Sequence, residues 1–101
     1  MIYPYRGQYD YNENTVSNWN SDAIGVYYCG FLNSNGLVPM YVGLGTGQNG
    51  IKGRLLDHLR IDNWPGVTHF GFQLCDNAKE AQDWEAEEIA RYKPKYNTVG
   101  K

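Results

Sequence analysis

Two short β-prone runs joined by a turn signal constrain this chain more than any other feature. The first, Ile24 to Phe31, reads Ile-Gly-Val-Tyr-Tyr-Cys-Gly-Phe, and the second, Val38 to Gly43, reads Val-Pro-Met-Tyr-Val-Gly. β-Branched and aromatic side chains favour the pleated, half-buried surface of a strand. Between the runs, Asn33 to Gly36 ends in Asn-Gly, the pair that tolerates the positive φ angles of a tight hairpin turn. Side chains alternate along a strand, so Tyr27 and Cys29 share one face of the first run and Val26 and Tyr28 the other. Tyr41 and Gly43 likewise share a face of the second run, and two tyrosines can therefore point to one side of the hairpin. Pro39 has no N–H to donate, which predicts a free edge there or regular pairing that begins at Met40.

After the glycine-rich stretch Gly43 to Gly50, the spacing of Ile51, Leu55 and Leu59 predicts a helix from Ile51 to Ile61, with Arg54 and His58 along its border. These two are neighbours one turn apart. Val67 to Cys75 alternates as a third strand, with Thr68, Phe70, Phe72 and Leu74 on one side. Asn77 followed by Glu80 is a capping box, and the helix it opens runs to about Tyr92, before Lys93-Pro94 stops it. The expected architecture is α+β: a small, largely antiparallel three-stranded sheet flanked by helices, in the order β-hairpin, helix, strand, helix. Residues 1–22, rich in Tyr, Asn, Asp and Ser and without periodicity, read as an N-terminal arm on a domain spanning 23–101. For Tyr3, Tyr5, Tyr9 and Tyr11, packing on the sheet is favoured over stacking on nucleobases.

A net charge of −2 gives no global attraction to nucleic acid, so any such contact must come from a local patch. Basic residues gather at Lys52, Arg54 and Arg60 and again at Arg91, Lys93 and Lys95, although each group alone also reads as a solvated helix end. No run approaches the ~20 apolar residues of a membrane span. Met1 to Tyr11 lacks the layout of a signal peptide, and the expectation is a soluble intracellular chain. Cys29 and Cys75 lie in apolar runs without metal or redox spacing and are expected to be buried thiols.

One acid stands out. On a helical wheel Ala78, Ala81, Ile89 and Tyr92 fall together, and Glu85 lies inside their arc. A carboxylate there is costly unless it is paired, protonated, bound to a metal or sited in a cleft, the plain alternative being a side chain that snorkels to water. Glu88 lies on the same arc, and helix geometry does not choose between them.

Taken in order, these residues resemble the GIY-YIG nucleases, a family that includes homing endonucleases, some restriction enzymes, junction-resolving nucleases and a DNA-repair incision subunit. Gly25-Val26-Tyr27 is similar to the first motif and Tyr41-Val42-Gly43 to the second; Arg54 and His58 follow on the next helix. The run from Glu85 through Arg91-Tyr-Lys-Pro-Lys-Tyr-Asn97 is similar to the family's acid-bearing helix and its closing segment. Leu44 departs from the pattern, standing where many members carry Lys.

The resemblance implies a DNA endonuclease that hydrolyses phosphodiester bonds with one Mg2+ or Mn2+. It selects Glu85 over Glu88 as metal ligand, the metal contacting the scissile phosphate and the leaving 3′ oxygen. Tyr27 is implied as general base, with His58 as the competing base or its relay. Tyr41 would orient water or phosphate, and Arg54 would clamp the phosphate with its forked donors. Lys52 and Asn97 join Arg54 as candidate substrate contacts, Asn97 tying the closing segment to the site. At Gly43 a side chain would crowd the approach of substrate. No separate DNA-reading domain is visible, which leaves target choice to the arm, to self-association or to a targeting protein. The alternative is a nucleic-acid-binding or interaction module that keeps the fold without cutting. A dinucleotide fingerprint, Gly45-Thr-Gly47-Gln-Asn-Gly50, competes weakly, because the next strand lacks the acid expected about twenty residues on.

Overall fold

The computed structural model describes residues 1–98. In chain order the elements are β1 (Arg6–Asp10), α1 (Glu13–Ser17), β2 (Gly25–Asn33), β3 (Gly36–Gly45), α2 (Gly50–Ile61), β4 (His69–Leu74), α3 (Ala78–Tyr92) and α4 (Lys95–Thr98). The α+β architecture is as expected, but the sheet has four strands, in the order β1-β4-β2-β3 with every pairing antiparallel. The additional strand comes from the segment read as an arm. All five β1 residues are exposed, so no buried alternation marks a strand there. What recruits them is the edge of β4, whose backbone groups need partners that β1 supplies.

The hairpin of β2 and β3 forms as expected, and its register sets Tyr27 opposite Gly43, Tyr28 opposite Val42 and Cys29 opposite Tyr41. A bulge follows, since Gly30 faces Pro39 and Met40 is left over. β3 is an outer strand, which accommodates the missing N–H of Pro39.

The sheet buries both faces. On one, Tyr27, Cys29, Phe70 and Phe72 pack against Ile51 and Leu55 of α2 and Val16 of α1. On the other, Val26, Tyr28 and Val42 pack under Trp84 and Ile89 of α3. The N-terminal tyrosines are part of this packing: Tyr9 stacks on Phe72 at 5.9 Å between centroids, and Tyr11 on Trp64 at 6.2 Å. Asn77 caps α3 by accepting from the Glu80 N–H at 2.9 Å, while the Glu80 carboxylate reaches back to the Asp76 N–H at 3.0 Å, one residue beyond the usual partner. Lys93, with a left-handed φ of 46°, ends the helix. Both cysteines are free and buried. No helix among the described residues is long and apolar enough to cross a membrane.

Candidate active site

The hairpin register places Tyr27 and Tyr41 as diagonal neighbours on one face, with ring centroids 6.2 Å apart. Gly43 makes this possible. A Cβ there would stand 2.5 Å from the Tyr27 hydroxyl oxygen and 2.8 Å from the Tyr41 ring. The space expected to admit substrate is thus taken by the phenols themselves, and the missing side chain serves their approach.

α2 brings the next two groups. His58 is buried, and its Nε2 lies 2.7 Å from the Tyr27 hydroxyl while its Nδ1 lies 2.7 Å from an Asp62 carboxylate oxygen. One turn earlier, Arg54 is exposed and lies within 3.7 Å of Asp57. Its charge acts on both phenols. Burial pushes the Tyr27 hydroxyl well above the usual tyrosine range, and the Arg54 guanidinium beside it only partly offsets this. Burial also raises Tyr41, with Arg54 lowering it and Glu85 raising it further. His58 is held below its ordinary range, first by burial and then by Arg54, against the opposing pull of Asp62. Its ring is therefore neutral at neutral pH.

The turn after α2 walls the site. Trp64 stacks on Tyr41 at 4.6 Å, lies 4.6 Å from the His58 ring and stacks on Tyr96 at 5.9 Å. Tyr96 in turn donates to the Pro65 carbonyl at 2.7 Å. Tyr41, His58, Asp62, Asn63, Trp64 and Tyr96 enclose a cleft of about 340 Å3. Tyr27 itself is fully enclosed, 0% exposed, so its hydroxyl is screened from solvent in this conformation.

The two candidate acids go to different places. Glu88 is 3% exposed beneath the opposite face, accepting from the Tyr28 hydroxyl at 2.6 Å and flanked by Arg91 Nε at 3.4 Å. Glu85 is only partly buried, and its charge acts on the Tyr41 hydroxyl from α3. No group of three His, Cys, Asp or Glu side chains among the described residues is placed to hold a metal ion. A hard divalent ion here would rest on one carboxylate with waters completing its shell.

Two candidate substrate contacts lie apart from this cluster. Lys52 lines a separate cleft with Asn20, Ser21 and Asp22. Asn97 is buried and both ends of its carboxamide are committed to β3: Oδ1 accepts from the Val42 N–H at 2.7 Å, and Nδ2 donates to the Val42 carbonyl at 2.8 Å. It ties the closing segment to the strand that carries Tyr41, as expected, using its carbonyl oxygen and one of its two N–H donors. Sequence reasoning missed Asp62 and Trp64. Asp62 stands one turn beyond His58, a spacing visible in the sequence, whereas the Trp64 contacts depend on how the turn folds back. Compared with family models, with curated proteins and with solved structures, the chain matches none.

Proposed function

We propose that this chain is a metal-dependent DNA endonuclease of the GIY-YIG type, hydrolysing phosphodiester bonds with a single divalent ion. The observation that carries this reading is the convergence of Tyr27, Tyr41, His58 and Arg54 beside a partly exposed carboxylate, Glu85. Phosphodiester hydrolysis asks for a proton acceptor at the attacking water, donors on the phosphoryl oxygens and charge relief at the leaving oxygen. Tyr27 hydrogen-bonded to His58 supplies the first, and the forked donors of Arg54 with the Tyr41 hydroxyl supply the second. Glu85 would hold Mg2+ or Mn2+, which would supply positive charge for the third.

Arg54 has a second task in this scheme. It lies beside the Tyr27 hydroxyl, and an incoming phosphate competes for its guanidinium. Its movement onto the phosphate opens Tyr27 to the attacking water. With a net charge of −2, DNA contact is local and falls with salt.

The enclosure of Tyr27 also favours a second reading, a nucleic-acid-binding module of this fold that does not cut. One experiment separates the two: incubation of supercoiled plasmid and of branched DNA with the chain in Mg2+, Mn2+ or EDTA, beside Glu85→Ala. Metal-dependent nicking that disappears in Glu85→Ala supports the nuclease and its ligand together. DNA binding without nicking of either substrate supports the binding module.

A further inference from the structure

The Tyr27–His58 pair has a third member. His58 reaches Tyr27 through Nε2 and Asp62 through Nδ1, each at 2.7 Å. An ionised carboxylate only accepts, so the neutral ring must carry its proton on Nδ1 to satisfy Asp62. Nε2 is then the acceptor, and the Tyr27 hydroxyl must be the donor. The opposite tautomer would set two lone pairs against each other at Asp62.

We infer that Asp62 is a positioning residue that holds His58 in the Nδ1–H tautomer, so that protons move from Tyr27 toward His58 and not the reverse. In the reaction, which rests on the nuclease reading, water gives a proton to the Tyr27 oxygen while the Tyr27 proton passes to His58 Nε2. The resulting hydroxide forms the new bond to phosphorus as the bond to the leaving oxygen breaks, and solvent protonates that oxygen. The imidazolium left behind sits against the Asp62 carboxylate, which stabilises it until its Nε2 proton is released to solvent and the resting pair is restored. The one hydrogen bond the Asp62 side chain makes among the pairs above is to His58, its charge also raising the Tyr41 hydroxyl; the side chain is 41% exposed, and its own backbone N–H closes α2 on the His58 carbonyl at 2.9 Å. Substitution there leaves the helix end intact.

The test is long-range 1H–15N NMR of the His58 ring at neutral pH in the full chain, in Asp62→Ala and in Asp62→Glu, beside plasmid nicking with Mg2+. The expected wild-type signature is a protonated Nδ1 with a bare Nε2. Asp62→Ala moves the proton population toward Nε2 and lowers kcat about 10- to 100-fold with KM little changed, a share of the roughly 100- to 10,000-fold that a positioned base contributes. Asp62→Glu, which keeps the carboxylate, recovers part of both. A wild-type ring protonated on Nε2, or a tautomer indifferent to Asp62→Ala, overturns the inference. The Nδ1–H signature lost in Asp62→Ala, in a chain that nicks no DNA, sustains the Asp62–His58 assignment and sinks the nuclease reading instead.

Discussion

Replacing Asn97 by Ala removes one side chain and strands two backbone groups. β3 is an outer strand, and Val42 turns its N–H and C=O away from β2, where the Asn97 carboxamide meets both at 2.7 and 2.8 Å. In effect one buried carboxamide replaces a missing neighbouring strand at this point. Each such bond contributes about 0.5–1.5 kcal/mol net, but a buried partner left unsatisfied costs roughly 1–3 kcal/mol. Val42 is 0% exposed and Asn97 only 6%, so water reaches the stranded groups only if the closing segment lifts away. Partial lifting reduces the loss, and the expected destabilisation is about 2–4 kcal/mol. For a domain of this size that lowers Tm by roughly 10–25 °C. Urea and thermal unfolding followed by circular dichroism measure it, with an unchanged m-value as the sign that the folded state stays compact. A loss below about 1 kcal/mol would refute the reasoning, because it would mean the edge of β3 is satisfied without the carboxamide.

Other consequences follow from the same geometry. On the proposed nuclease reading, Glu85→Ala and Glu88→Ala should separate chemistry from stability: the first abolishes nicking at a cost under about 1 kcal/mol, whereas the second loses about 1–3 kcal/mol of stability and keeps nicking per folded molecule. Reversed behaviour would transfer the ligand role to Glu88. Gly43→Ala overpacks the two phenols, lowering stability by about 1–3 kcal/mol and nicking more than tenfold; a neutral result in unfolding and nicking assays contradicts the 2.5 Å approach to Tyr27. His58 is held below its ordinary value of 6.5, so between the folded value and 6.5 the unfolded chain binds more protons. Its contribution is therefore complete above that ordinary value and drains away as pH falls below it. Wild-type unfolding free energy should drop more between pH 7.5 and 5 than that of His58→Gln, and parallel curves would exclude the effect.

The parts of this chain legible in its residue order are those with local signals. The hairpin was readable because alternation and an Asn-Gly turn set which residues face each other, and Tyr27, Gly43 and Tyr41 fell into place with it. Helix α2 carried Arg54 and His58 on one border for the same kind of reason, a repeat of 3.6 residues, and α3 announced its start through Asn77. Disagreement begins wherever the partner is distant in sequence. β1 has five exposed residues and no pattern, and it is a strand only because β4 offers an open edge. Glu85 and Glu88, three positions apart, are nearly equivalent on a helical wheel. Packing distinguishes them, burying Glu88 against the Tyr28 hydroxyl and leaving Glu85 only partly buried, with its charge reaching the Tyr41 hydroxyl. Asn97 reads as a polar residue fit for substrate, and only the fold shows that β3 takes its carbonyl oxygen and one of its N–H groups. Periodicity and turn chemistry act over a few residues and are written in the chain itself, whereas burial and the satisfaction of polar groups are properties of surfaces that exist only once the chain has closed on itself.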